Sequence, residues 1–198
     1  MMTIQLFSEP TTFDKKVRQK GIRFLKRASN PTVSEWSKHA YWQHTLPEMR
    51  SFYNGLCNYC ATWIPHSTGQ HSVDHFLSKD DSPHLAYEWN NYRYASTRFN
   101  SRKGTKEIID PATLPPGAFI LNFSNFFVEL HTAFGPPQIA SLALETIVIL
   151  KFNDDDELVE ERMAYFQYYI KGDISFDYLQ QQAPFIAFEV ERQGLRIQ

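Results

Sequence analysis

Asp74 and His75 stand side by side, Asn91 follows sixteen residues later, and Asn100 nine residues after that. An imidazole, with an ordinary pKa near ~6.5, can take a proton from water at neutral pH. Asp74 and Asn100 offer hard oxygen donors of the kind that hold Mg²⁺ through one or two protein ligands, leaving the rest of its shell to water and phosphate. Hydrolysis of a phosphodiester needs such parts: an activated water, a cation at the scissile phosphate, and help for the leaving alkoxide. Lys79, Arg98, Arg102 and Lys103 surround the same motifs, where cations would position a phosphate backbone. Nothing in the chain reads as a base-reading helix or a zinc-finger array, so no sequence preference follows.

Three local elements must carry these groups. Val73-Asp74-His75-Phe76 closes a short alternating run that reads as a strand, and Glu88–Tyr94 reads as a second strand. Arg98–Gly104 reads as the start of a basic helix. Helices are also expected at 12–28, at 34–44 and from Pro47 to Gly55, with Thr11/Asp14 and Thr45/Glu48 at capping-box spacing. The first of these has seven Lys and Arg in residues 15–27, of which Lys16, Lys20, Arg23 and Arg27 lie away from its apolar positions. Beyond the turn-rich 110–117, residues 119–130 read as two strands around Ser124-Asn125. Residues 138–152 fit helix or strand, and helices follow at 154–170, 175–182 and 184–193. The tail GDISFDYLQQQAPFIAFEVERQGL has no assigned role.

The Asp-His, Asn, Asn order with its nine-residue last step resembles HNH nucleases of the ββα-metal superfamily. The likeness is to small bacterial HNH proteins of antiviral-defence type that carry C-x-x-C, (D/E)HF-x-x-K and a late N-x-x-KG; it covers 57–111. The resemblance implies Asp74 and Asn100 as metal ligands, His75 as general base, and Asn91 as the residue that orients the catalytic loop. Asn90 is the alternative to Asn91, and the step to Asn100 favours Asn91. It further implies Mg²⁺ or Mn²⁺, a nucleic-acid substrate (DNA ahead of RNA), an effector's place in bacterial antiviral defence, and an ATPase partner protein. The competing expectations are a catalytically inactive nucleic-acid or partner-binding module on this scaffold, and an RNA-cleaving enzyme.

Many HNH proteins hold a structural zinc between two C-x-x-C pairs. Here only Cys57 and Cys60 are present, and Ser96 and Phe99 stand where the second pair would be. Neither suits zinc, so structural zinc is not expected. The alternative is a site built from Cys57, Cys60, His66 and His71 in the spacing C-x2-C-x5-H-x4-H.

Net charge is only −2, but residues 1–106 carry 15 Lys and Arg against 8 Asp and Glu, whereas 107–198 carry 5 against 14. A polyanion would meet the first part and be repelled by the second. With 198 residues, 42% hydrophobic and 21% charged, the chain is too apolar for a disordered protein. It has no membrane-length apolar run, neither a secretory leader nor a disulfide framework is expected, and a cytoplasmic address is expected. The expected fold class is α+β: a mostly helical domain carrying a ββα-metal core. Its parts are a basic helical segment (1–55), the HNH-like core (56–111), and a C-terminal hairpin with acidic helices (112–198).

Overall fold

A computed structural model of the chain describes residues 1–197 and divides into two compact units. One contains Gln5–Gly55 and Ile64–Glu107; the other contains Met1–Ile4, Leu56–Trp63 and the chain from Ile108 onward. The C-x-x-C segment thus groups with the C-terminal unit. Each unit combines helices with one two-stranded antiparallel sheet, so the class is α+β. Among the described residues no helix is long and apolar enough to cross a membrane.

In the first unit, a π-helical turn at Asp14–Arg18 runs into α1 (Gln19–Leu25). Phe13, Val17, Gly21 and Phe24 are buried at helical spacing, and the basic residues face outward. Gly21 is there for closeness: a Cβ would lie 2.0 Å from the Tyr87 ring. The expected Thr11/Asp14 cap does not form, because the backbone of Phe13 is already helical and the Asp14 carboxylate pairs with Arg18 and Gln19. The capping box lies instead at Thr32 and Glu35, opening α2 (Val33–Lys38). A 3₁₀ turn at Tyr41–Thr45 leads into α3 (Leu46–Phe52), and the Thr45 hydroxyl donates to the Trp42 carbonyl at 2.6 Å instead of capping.

β1 (His71–His75) pairs antiparallel with β2 (Tyr92–Ser96), with Asp74 opposite Arg93 and His75 opposite Tyr92. α4 (Thr97–Lys103) follows β2 without a loop. Ser96 makes this sharp change possible, since its Oγ accepts the Phe99 N–H at 3.4 Å as an N-cap. Phe99 is buried, so the two positions that hold thiolates in the zinc-bearing pattern serve here as cap and core.

The second unit has a hairpin of β3 (Phe119–Asn122) and β4 (Phe127–Leu130), then α5 (Pro137–Ile149), α6 (Asp156–Ile170), α7 (Phe176–Gln182) and α8 (Pro184–Arg192). The ambiguous run at 138–152 is helical as far as Ile149, with Ala143, Thr146 and Ile147 turned inward. The tail has a structural explanation. Glu189 is fully buried; its Oε2 accepts the Leu121 N–H at 3.0 Å, and Gln193 Nε2 donates to the Leu121 carbonyl at 2.8 Å. Arg192 neutralises the same carboxylate through Nε at 2.8 Å and Nη2 at 2.6 Å. The E-x-x-R-Q run of α8 therefore reads the backbone of β3 at a point where an apolar side chain would leave amides unpaired.

Candidate active site

β1 and α4 meet with matched periods. Residues two apart on a strand share a face, and residues three apart on a helix share another. Asn100 Nδ2 donates to Ser72 Oγ at 2.9 Å, and Lys103 Nζ lies 3.2 Å from Asp74 Oδ2. Ser72 in turn donates to the Ala95 carbonyl of β2 at 3.2 Å. Strand, strand and helix are tied together beside an open pocket of about 310 Å³ lined by Asp74, His75, Lys79, Asn100 and Gly104 among others.

His75 is held from three sides. Its Nε2 is 2.9 Å from the Ala86 carbonyl. A carbonyl only accepts, so Nε2 carries the proton and Nδ1 is left as the acceptor in the neutral ring. The Tyr92 hydroxyl donates to the same carbonyl at 2.8 Å, and the rings of Trp42 and Tyr92 meet the imidazole edge-on at 4.6 and 5.3 Å. Burial pushes the imidazole down to about 3, the Lys79 and Lys103 cations act in the same direction, and the Ala86 carbonyl opposes them. His75 is therefore neutral at pH 7.

Asn91 is buried and clamps the loop that follows β1. Its Oδ1 accepts the Leu77 N–H at 2.8 Å, while Nδ2 donates to the carbonyls of Leu77 at 3.0 Å and Leu85 at 3.2 Å. The neighbouring Asn90 is exposed. Asn100 directs its amide nitrogen to Ser72 and the Val73 carbonyl, and its carbonyl oxygen is not used by those bonds. Asp74 and Asn100 on one pocket wall form an oxygen donor set that suits a hard divalent ion.

The surrounding cations divide. Lys79 lines the pocket, with Nζ 5.8 Å above the Trp36 ring and 3.9 Å from Asp80. Arg98 is exposed on α4, and Arg102 is half-buried with its guanidinium 5.3 Å over Phe99. Lys16, Lys20 and Arg23 are exposed on the first helix and Arg27 in the turn after it, Lys20 lying 5.5 Å from the Tyr41 ring. Lys103 corrects its sequence reading as a backbone-contacting cation. It is 1% exposed, and its ammonium contacts Asp74 and donates to the His75 carbonyl at 2.9 Å. The physical reason is its register, three residues after Asn100, which turns it inward with that residue. That spacing is also the signal by which sequence could have found it; Ser72, two before Asp74 on the strand, carries the same kind of signal.

The four residues of the C-x2-C-x5-H-x4-H spacing belong to two different units. Cys57 and Cys60 lie in the C-terminal unit, whereas His66 is exposed in the other unit and His71 Nδ1 is 2.8 Å from the Tyr94 hydroxyl. Among the described residues no group of three or more His, Cys, Asp or Glu is placed to hold a metal. The Cys60 thiol is instead pushed well up by its hydrogen bond with Cys57 and by burial.

No family model matches the sequence. The chain is similar to the Septu protein PtuB of Bacillus thuringiensis, with 31% identity over 135 residues that cover 66% of this chain and 48% of that protein. It spans about half the length of the curated relative it matches.

Proposed function

We propose that the chain is a metal-dependent endonuclease of HNH type that hydrolyses nucleic-acid phosphodiesters, DNA ahead of RNA, as an effector in bacterial antiviral defence. The observation that carries the reading is His75: a neutral imidazole with Nε2 tied to the Ala86 carbonyl, on the wall of a pocket shared with Asp74 and Asn100. The similarity to the Septu protein PtuB supports the defence context, and with it an ATPase partner protein.

In this reading Nδ1 of His75 takes the proton of the attacking water. An imidazole pushed down to about 3 is a weak base by itself. The phosphate's negative charge raises its proton affinity when substrate is in place, so the base is strongest in the productive complex. Ala86 and Tyr92 hold the tautomer and the ring plane, and Asn91 holds the loop that carries the Ala86 end of that bond. Asp74 and Asn100 would hold Mg²⁺ or Mn²⁺, which supplies charge stabilisation at the scissile phosphate. Lys79, Arg98 and Arg102, with the exposed basic face of the first helix, position the backbone.

The second reading is a catalytically inactive nucleic-acid or partner-binding module. It is favoured by Ser96 and Phe99, which serve as cap and core where a zinc-bearing protein of this pattern has its second cysteine pair. Purified chain incubated with plasmid, single-stranded DNA and RNA, each with Mg²⁺, Mn²⁺ or EDTA, separates the two. Metal-dependent cutting that EDTA abolishes supports the nuclease; binding without cutting in every arm supports the module.

A further inference from the structure

Lys103 is among the most buried side chains of the first unit, although lysine is almost never fully buried unless paired. Its ammonium lies 3.3 Å from Oδ1 and 3.2 Å from Oδ2 of Asp74, so it sits across both carboxylate oxygens instead of one. The same ammonium donates to the main-chain carbonyl of His75 at 2.9 Å and reaches the Gly104 carbonyl at 3.4 Å. An ion pair kept only for stability has no reason to stand here, because replacing a buried pair by well-packed apolar groups is often neutral or stabilising. This one joins an oxygen donor of the pocket to the backbone of the residue that follows it.

We propose that Lys103 is a positioning residue and a built-in counter-ion: it fixes the Asp74 carboxylate and, by claiming part of its charge, sets how tightly that carboxylate holds a divalent cation. The inference rests on the metal-binding reading of Asp74 given above. A divalent ion on Asp74 stands within a few ångströms of a fixed ammonium, in a place where burial weakens screening. Repulsion between the two cations subtracts from the affinity, and the ion exchanges readily as a result. Removing the ammonium while keeping the length of the stem therefore tightens the site. It also removes one of the contacts that orient the carboxylate, which lowers turnover even when the metal is saturating.

The test is Mn²⁺ binding by calorimetry and thermal unfolding of the full chain, wild type against Lys103→Met. The expected result is at least about tenfold tighter Mn²⁺ binding in the variant, with a larger Mn²⁺-induced rise in Tm than in wild type. If loss of the ammonium beside Asp74 unfolds the variant in metal-free buffer, Mn²⁺ restores cooperative unfolding, because it replaces the missing cation. Unchanged or weaker affinity overturns the inference, and so does a variant that stays unfolded at every Mn²⁺ concentration. Wild type that cuts nucleic acid with Mn²⁺ while Lys103→Met binds the ion no tighter removes this inference alone. Wild type and variant that both bind no Mn²⁺ remove the metal reading of Asp74 along with it.

Discussion

Asn91 grips Leu77 at both backbone groups, accepting its N–H at 2.8 Å and donating to its carbonyl at 3.0 Å, across fourteen residues of sequence. The loop so closed contains Ala86, whose carbonyl fixes the His75 tautomer. Removing the amide takes these partners from the Leu77 N–H and from the Leu77 and Leu85 carbonyls on that loop. Asn91→Ala should therefore lower stability by about 1–3 kcal/mol and slow cleavage further than substrate binding. Urea unfolding and a kcat-against-KM comparison check it; a variant with unchanged stability would show that the clamp is idle.

Metal binding separates from base chemistry. Asp74→Asn and Asn100→Ala should each weaken Mg²⁺ or Mn²⁺ binding, because each removes or neutralises an oxygen in a set with few protein ligands. Calorimetry on the two variants measures this directly, and unchanged affinity in both would exclude the pair as ligands.

The legible and illegible parts of this chain differ in kind. Residue type and spacing mark Asp74, His75, Asn100 and Lys79, and these line one pocket: Asp74 and His75 from the end of β1, Lys79 from the loop that follows it, and Asn100 from α4. The first helix is legible for the same reason. Lys103 is legible only through its three-residue step from Asn100, because its residue type points to solvent and its partner Asp74 holds it inside. Spacing alone misplaces the caps, because Thr11/Asp14, Thr45/Glu48 and Thr32/Glu35 share it; Thr32, extended after Pro31, has the backbone that lets a side chain cap, whereas Thr45 is already helical. The ETIVIL run is ambiguous in sequence, since β-branched propensity is weak against the packing of Thr146 and Ile147.

The basic helix face makes a separate prediction. Reversing Lys16, Lys20, Arg23 and Arg27 to Glu should weaken nucleic-acid binding at every sequence and flatten its salt dependence. The slope should fall by roughly 0.9 for each phosphate of duplex DNA that the face no longer neutralises. Fluorescence anisotropy at several salt concentrations, in a His75→Ala background, reads both quantities. The original affinity and slope would mean that this face is only solvated or docks a protein.

The Cys60 thiol should stay protonated, and the cysteine pair should not act as a zinc knuckle. The bond between Cys60 and Cys57, together with burial, raises the Cys60 pKa, and only the thiolate is nucleophilic. Alkylation at pH 8 should be slow in the native protein and fast in urea, with well under one equivalent of zinc by elemental analysis. One tightly held zinc per chain would revive a site built on Cys57 and Cys60.

The most direct measurement is the cleavage rate of His75→Ala against wild type at saturating Mg²⁺ on the preferred substrate. If Nδ1 of His75 accepts the proton of the attacking water, the rate falls on the order of 10² to 10⁴ while circular dichroism, metal binding and substrate binding stay close to wild type. A folded His75→Ala protein that cuts at the wild-type rate contradicts the account.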